Sequence, residues 1–353
     1  MTSQDDGGWE HAAGKVMSCV PLTGCILFNT AMSIRTLTER SAEVYDRLKG
    51  PIVPLNLCFD ESREVDMVTM RKYVNWLCEQ QVPVLLLTYG SSEFMWLTDD
   101  WIRRLTAELA EEIDGRSLFV ASTNWCPPGD CRNFLEFADR AGVDAVKVQT
   151  NPWMVSTAGL PPREAILGYF DCIAGAAEIP LILWGHAIAP YPVEVVRELA
   201  GRTEIVGMKN DDDQFNYYYE ICRATANEQF AVFSGGLMRN FYFGYPAGSP
   251  AYLCPIAPFL PALALEFYEH MVSGRTSEAW QMVLRYEDRW LREAVRLGWI
   301  QSLRTAFQAY GLFPNNRHYL PQLTHTESQV QEVRESLREI FGPIVPVEYS
   351  SDP

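Results

Sequence analysis

Residues 181–209 read LILWGHAIAPYPVEVVRELAGRTEIVGMK, and this stretch decides the fold. Two short apolar runs, Leu181–Trp184 and Ile205–Lys209, flank a helical segment at Pro192–Leu199. A run of four or five apolar residues without alternation fits a strand covered on both faces, as in parallel sheets. Strand, helix, strand is therefore the unit, and it recurs on either side. Ile52–Cys58, Val84–Thr88, Leu118–Ser122 and Ala145–Gln149 precede it, and Phe230–Ser234 and Ala251–Cys254 follow. Eight such runs let a parallel sheet close on itself, which predicts an α/β fold of the (β/α)8 barrel type. The alternative is an open doubly wound sheet. That fold usually carries phosphate-binding glycines in its first strand-to-helix turn, and the turn here, Phe59–Arg63, has none.

The intervening segments read as helices. Asp66–Gln80 sets Met67, Met70, Val74 and Leu77 at helical spacing. Thr98 precedes Asp99 and Asp100, a cap and two acids that suit the start of a helix over Asp99–Ile113. Asp130–Ala141, Arg163–Ala177 and Asp212–Ala226 follow the same pattern, as do Pro261–Ser273, Ser277–Leu297, Ile300–Tyr310 and Thr326–Phe341 beyond the eighth run. A barrel takes about 250 residues, so 353 residues leave room at both ends. The expected division is a leader at 1–49, partly disordered with a short helix, a barrel at 50–257 and a C-terminal helical extension at 258–345.

Composition removes several function classes. The formal charge is −16, whereas nucleic-acid binders and proteins drawn to anionic membranes need basic surfaces. No run reaches the length of about 18 to 20 apolar residues that a membrane span needs. The nine cysteines are odd in number and several sit inside apolar runs, which reads as reduced thiols in a cytoplasmic protein. Cys126 and Cys131 lack the spacing of a zinc knuckle and only five histidines are present, so no metal site is expected.

In a barrel, functional groups collect where strands end. The sixth run ends on Lys209, one of five lysines against twenty-four arginines, followed by Asn210 and Asp211–Asp213. Desolvation favours the neutral amine, which attacks carbonyl carbon; the plainer alternative is a lysine paired with Asp211 or Asp212. Lys147, inside the fourth run, is the rival nucleophile or a structural lysine. At the end of the second run, Tyr89-Gly90-Ser91-Ser92 offers backbone N–H groups and two hydroxyls to a carboxylate, or is simply a capping turn. The fifth run ends Trp184-Gly185-His186. The seventh ends Ser234-Gly235-Gly236, whose glycines let backbone approach a ligand.

Taken in order, these pieces resemble the dihydrodipicolinate synthase / N-acetylneuraminate lyase family of class I aldolases and dehydratases, over roughly residues 50–312. Gly50-Pro51-Ile52-Val53 with Phe59-Asp60 resembles its first strand. Tyr89–Glu93 resembles its Gly-Thr-Thr-Gly-Glu loop, Ile205–Lys209 the strand bearing its Schiff-base lysine, and Ser234-Gly235-Gly236 the next glycine turn. Glu93-Phe94 with Leu97-Thr98, and Ser234–Leu237 with Leu263–Tyr268, lean toward its 5-dehydro-4-deoxyglucarate dehydratase branch. The resemblance implies a homo-oligomer, tetramer or dimer, a small 2-oxo acid as partner, and no cofactor.

Departures matter equally. The family's proton-relaying tyrosine on the fifth strand is replaced by Trp184, whose indole only donates. His186 then becomes a candidate acid–base, beside Tyr89. The family's Pro-Tyr-Tyr appears as Pro152-Trp153-Met154. The expected site is therefore Lys209 as nucleophile and His186 and Tyr89 for protons. Gly90, Ser91, Ser92, Trp184, Trp153, Ser234, Gly235 and Gly236 are expected to bind substrate. The expected activity is a class I lyase. Two rivals stay open: an inactive 2-oxo-acid binder, and a decarboxylase or retro-aldolase whose aromatic substrate lies against Trp125, Trp153 and Trp184.

Overall fold

The structure, a computed structural model, describes residues 35–157, 159–185, 190–211 and 214–349. Eight strands run parallel in sequence order: β1 (Gly50–Pro54), β2 (Val84–Leu86), β3 (Leu118–Ser122), β4 (Ala145–Val148), β5 (Leu181–Gly185), β6 (Ile205–Asn210), β7 (Ala231–Ser234) and β8 (Ala251–Leu253). β8 pairs back onto β1, with Gly50 opposite Ala251, so the sheet is a closed barrel. The expected fold class holds, and β1 lies earlier than expected. β1 starts at Gly50 and stops at Pro54, before the predicted Leu55–Cys58. Those residues are fully buried although they lie outside the strand, and burial is what an apolar run reports.

Helices cover the outside, and their ends are set locally. Thr98 accepts a hydrogen bond from Trp101 N at 3.3 Å and starts Asp99–Ile113 as predicted. Asp66 accepts from Thr69 N at 3.0 Å ahead of Met67–Glu79. Apolar faces of these helices and the outer faces of the strands form one large buried cluster.

A second cluster fills one end of the barrel. Helix Glu39–Arg47 contributes Val44, and Leu48 follows it; both belong to a cluster with Ile52, Val84, Leu118, Ile182 and Val206. Leu48 and Gly207 fit closely: a Cβ on Gly207 would stand 3.2 Å from Leu48 Cδ2 and 2.6 Å from Ala231 O. The predicted leader otherwise lies mainly outside the described residues.

Pro261–Val272 follows β8 and packs against β1 as the eighth barrel helix. The expected helix over 277–297 is one rod, Thr276–Leu297, with a π-turn at Val283–Glu287. Trp299–Ala309 and Glu327–Phe341 complete the addition. Among the described residues, no helix is long and apolar enough to cross a membrane.

Candidate active site

Lys209 stands next to the end of β6, opposite Trp184 on β5 and Phe233 on β7. Its side chain is 4% exposed. Nζ donates to both carboxylate oxygens of Asp211, and Asp211 Oδ2 also accepts from Trp184 Nε1. The backbone fixes this arrangement. Asp211 N donates to Gly185 O at 2.8 Å, and Gly235 N donates to Asn210 O at 2.6 Å. A Cβ at Gly235 would overlap Asp211 Oδ1. Gly235 therefore makes room for a carboxylate of this chain, where the sequence suggested room for a ligand.

Lys147 lies inside the barrel with no exposure. Its Nζ donates to Gln149 Oε1 at 3.0 Å and sits 4.0 Å from the centre of the Trp184 ring; Lys209 Nζ is 5.6 Å from the same ring. Burial pushes the Lys147 ammonium well below its ordinary pKa; Lys209 adds to the depression and Asp211 opposes it. Two amines thus flank one indole, and the more accessible of them is Lys209.

Beside them is an aromatic wall. Tyr89 stacks on Trp125 with centroids 5.1 Å apart at 11°, and Trp125 stacks on Trp184 at 6.0 Å and 28°. The hydroxyl of Tyr89 has no partner among the described residues, nor does that of half-buried Ser91. Gly90 is exposed.

Three expected binding residues are placed differently. Ser92 is fully buried, donates to Leu55 O at 2.6 Å and accepts from Thr88 N at 3.0 Å. Its hydroxyl holds the loop in shape and is closed to a ligand. Ser234 folds its hydroxyl onto the backbone of Gly236, within its own turn. Trp153 is 76% exposed beside a groove lined by Pro152, Val155, Pro190 and Tyr191. Trp125 and Trp184 join Tyr89 in the wall. His186 lies outside the described residues.

The loops after β2 and β7 each carry a non-glycine residue at positive φ, Glu93 (φ 52°) and Leu237 (φ 79°). Such backbone costs about 1–3 kcal/mol and persists where neighbours enforce it. The C-terminal addition supplies both restraints. Arg304, 1% exposed, ion-pairs with Glu93, also 1% exposed. From the π-turn, Glu287 accepts the backbone N–H groups of Met238 and Arg239, just past Leu237.

Burial pushes the Glu287 carboxyl up to about 7, against its two backbone donors. The folded-state pKa lies above the unfolded value of about 4.5. Between these values the unfolded chain binds fewer protons, so this group's contribution to stability falls as pH rises through the window. The interval corresponds to about 3 kcal/mol. Glu287→Gln removes the titration. Its unfolding free energy relative to wild type, from urea melts, is expected to rise by about that amount from pH 4 to pH 8. A pH-independent difference contradicts this.

Several of these residues have no signature in sequence. Asp211 is one of three consecutive acids and figured only as a neutralising partner. Glu93 and Arg304 are 211 positions apart. The helix Met238–Gly244, which Glu287 caps, is too short for apolar periodicity to announce it. A carboxylate eleven residues into an apolar-faced helix was the available signal for Glu287.

Comparison with known proteins agrees with this architecture. The model of the dihydrodipicolinate synthetase family matches residues 47–340. An uncharacterised DapA-like lyase of Pyrococcus furiosus is 25% identical over 74% of this chain and 84% of its own. A 4-hydroxy-tetrahydrodipicolinate synthase of Methanothermobacter thermautotrophicus is 27% identical over 54% of this chain and 67% of its own. A Streptomyces avermitilis protein named "Probable 5-dehydro-4-deoxyglucarate dehydratase 2" is 26% identical over 66% and 71%. Among solved structures, dihydrodipicolinate synthase from Oceanobacillus iheyensis superposes with a TM-score of 0.73 at 18% identity, covering 84% of this chain and 98% of that one. YagE of E. coli K12, in complex with pyruvate, gives 0.73 at 16% identity over 83% and 96%. The closed barrel and its strand-end lysine, together with the family match over most of the chain, place this protein in the dihydrodipicolinate synthetase family, as a lyase of the aldolase or dehydratase kind.

Proposed function

We propose that the protein is a class I lyase that forms a Schiff base through Lys209 with a small 2-oxo acid. The observation that supports this most is the Lys209 amine: nearly buried, next to a strand end, beside a second lysine and under an indole. Condensation puts an iminium next to the substrate's C3. The iminium accepts the electron pair released when a C3–H or C3–C4 bond breaks, and the enamine can then expel a C4 hydroxyl. A dehydratase and an aldolase share these steps. The substrate carboxylate meets the Ser91 hydroxyl and the strand-end backbone, and Tyr89 and His186 remain candidates for proton transfer. Organic cofactors and metals have no part in this scheme. A homo-oligomer, dimer or tetramer, and a cytoplasmic location belong to the same proposal.

A second reading draws on the Tyr89–Trp125–Trp184 stack. A flat aromatic wall suits retro-aldol cleavage or decarboxylation of an aromatic 2-oxo acid.

The test is borohydride trapping of the full chain with pyruvate, sugar-derived 2-oxo acids and aromatic ones. Intact mass should show one adduct per chain, and peptide mapping should place it on Lys209. Product analysis separates the two readings. Absence of an adduct with every compound, or an adduct confined to another residue, would sink the Schiff-base reading.

A further inference from the structure

Resting on the Schiff-base reading, we infer that Asp211, held in place by Trp184, moves the protons of Schiff-base formation at Lys209, and that this pair does work left open by the missing tyrosine on β5. The geometry carries it. Asp211 is the carboxylate in contact with Lys209 Nζ, the reacting atom, and Trp184 Nε1 donates to the same carboxylate. Trp184 cannot itself titrate, since indole only donates; its N–H orients a group that can. The backbone on both sides makes the placement specific, through Asp211 N to Gly185 O and through the side-chain-free position Gly235. The Asp211 side chain is 22% exposed, so a substrate oxygen entering the mouth can reach it.

The proton count closes on these two residues. Lys209 starts as an ammonium with three hydrogens and ends as an iminium nitrogen with one. Asp211 takes the first proton, freeing the amine to form the C–N bond at C2. The carbonyl π pair moves to oxygen, which receives that proton from Asp211 and becomes a hydroxyl. Asp211 then takes a second proton from nitrogen and delivers it to the hydroxyl. The C–O bond breaks, water leaves with two of the original hydrogens, and the nitrogen lone pair forms C=N. Asp211 ends as the carboxylate it began as.

The experiment measures the rate of borohydride-trapped adduct formation with pyruvate in the full chain. Asp211→Asn keeps the shape and an acceptor for Trp184 but carries no proton. Its trapping is expected to slow by about 100-fold or more, with the adduct still on Lys209. Asp211→Ala slows comparably, and added formate, which supplies a carboxylate in the space vacated, restores at least about tenfold of the loss. Trp184→Phe slows the wild type about tenfold and leaves Asp211→Asn unchanged, as expected of a residue that acts through Asp211. Trapping by Asp211→Asn within threefold of wild type overturns the inference, as does an Asp211→Ala defect that formate leaves untouched. If wild type itself traps nothing, the fault lies with the Schiff-base reading; if wild type traps and Asp211→Asn traps equally fast, only the role of Asp211 falls.

Discussion

Lys209→Ala lowers turnover of whichever 2-oxo acid the wild type processes by at least about 10⁴-fold and abolishes the trapped adduct, because the covalent route has no other step to fall back on. Lys209→Arg should lose as much. Its guanidinium can still pair with Asp211 but stays protonated and cannot condense with a ketone. That comparison separates loss of the nucleophile from loss of an ion pair. Lys147 makes the result informative. It shares the Trp184 ring with Lys209 and its own ammonium is strongly disfavoured, so chemically it is the better-prepared nucleophile. Its position argues against it. Nζ is anchored on Gln149, whose amide donates to Thr123 O at 3.3 Å, and the residue is fully buried. We expect Lys147 to act as a neighbouring charge or dipole, with no adduct. If Lys209→Ala keeps an adduct that maps to Lys147, the nucleophile belongs to β4 and the assignment is wrong.

How much of this was legible in the sequence follows from what each signal measures. Apolar runs report burial, so they mark seven strands to within a residue or two, while the run at β1 extends along a segment that is buried outside the ladder. Lys209 was legible because a charge at the end of an apolar run is costly unless it has a use or a partner, and here it has an aspartate partner and a proposed use. Ser92 and Ser91 look alike in sequence. One hydroxyl is locked between Thr88 and Leu55 and the other has no partner among the described residues, a difference set by how the loop turns through Glu93. Trp153 and Trp184 differ likewise: one stands exposed and the other lines the barrel mouth. The pattern of types gave the inventory of the site, and the fold decided which members meet.

The C-terminal addition looks in sequence like a helical appendage, yet it restrains the loops after β2 and β7, and the Arg304–Glu93 pair tests that role with the second large effect. Glu93 is pushed above its ordinary pKa, burial outweighing the attraction of Arg304. Nearby His318 is fully buried with Nδ1 4.0 Å from Glu93. Burial first, then Arg304, holds it down to about 3, so it is neutral and offers Glu93 no charge. Arg304→Met therefore leaves a carboxylate alone in the interior, and removing one partner of a buried pair typically costs about 3–5 kcal/mol. The midpoint in urea should fall accordingly at pH 7. Glu93→Gln in the same chain should recover most of the loss, because two neutral side chains need no mutual compensation there. The single variant should also weaken 2-oxo acid binding, since Glu93 at φ 52° directly follows Tyr89–Ser92. An Arg304→Met protein that melts within about 1 kcal/mol of wild type and binds equally well would mean that the addition merely covers the barrel and does not shape its mouth.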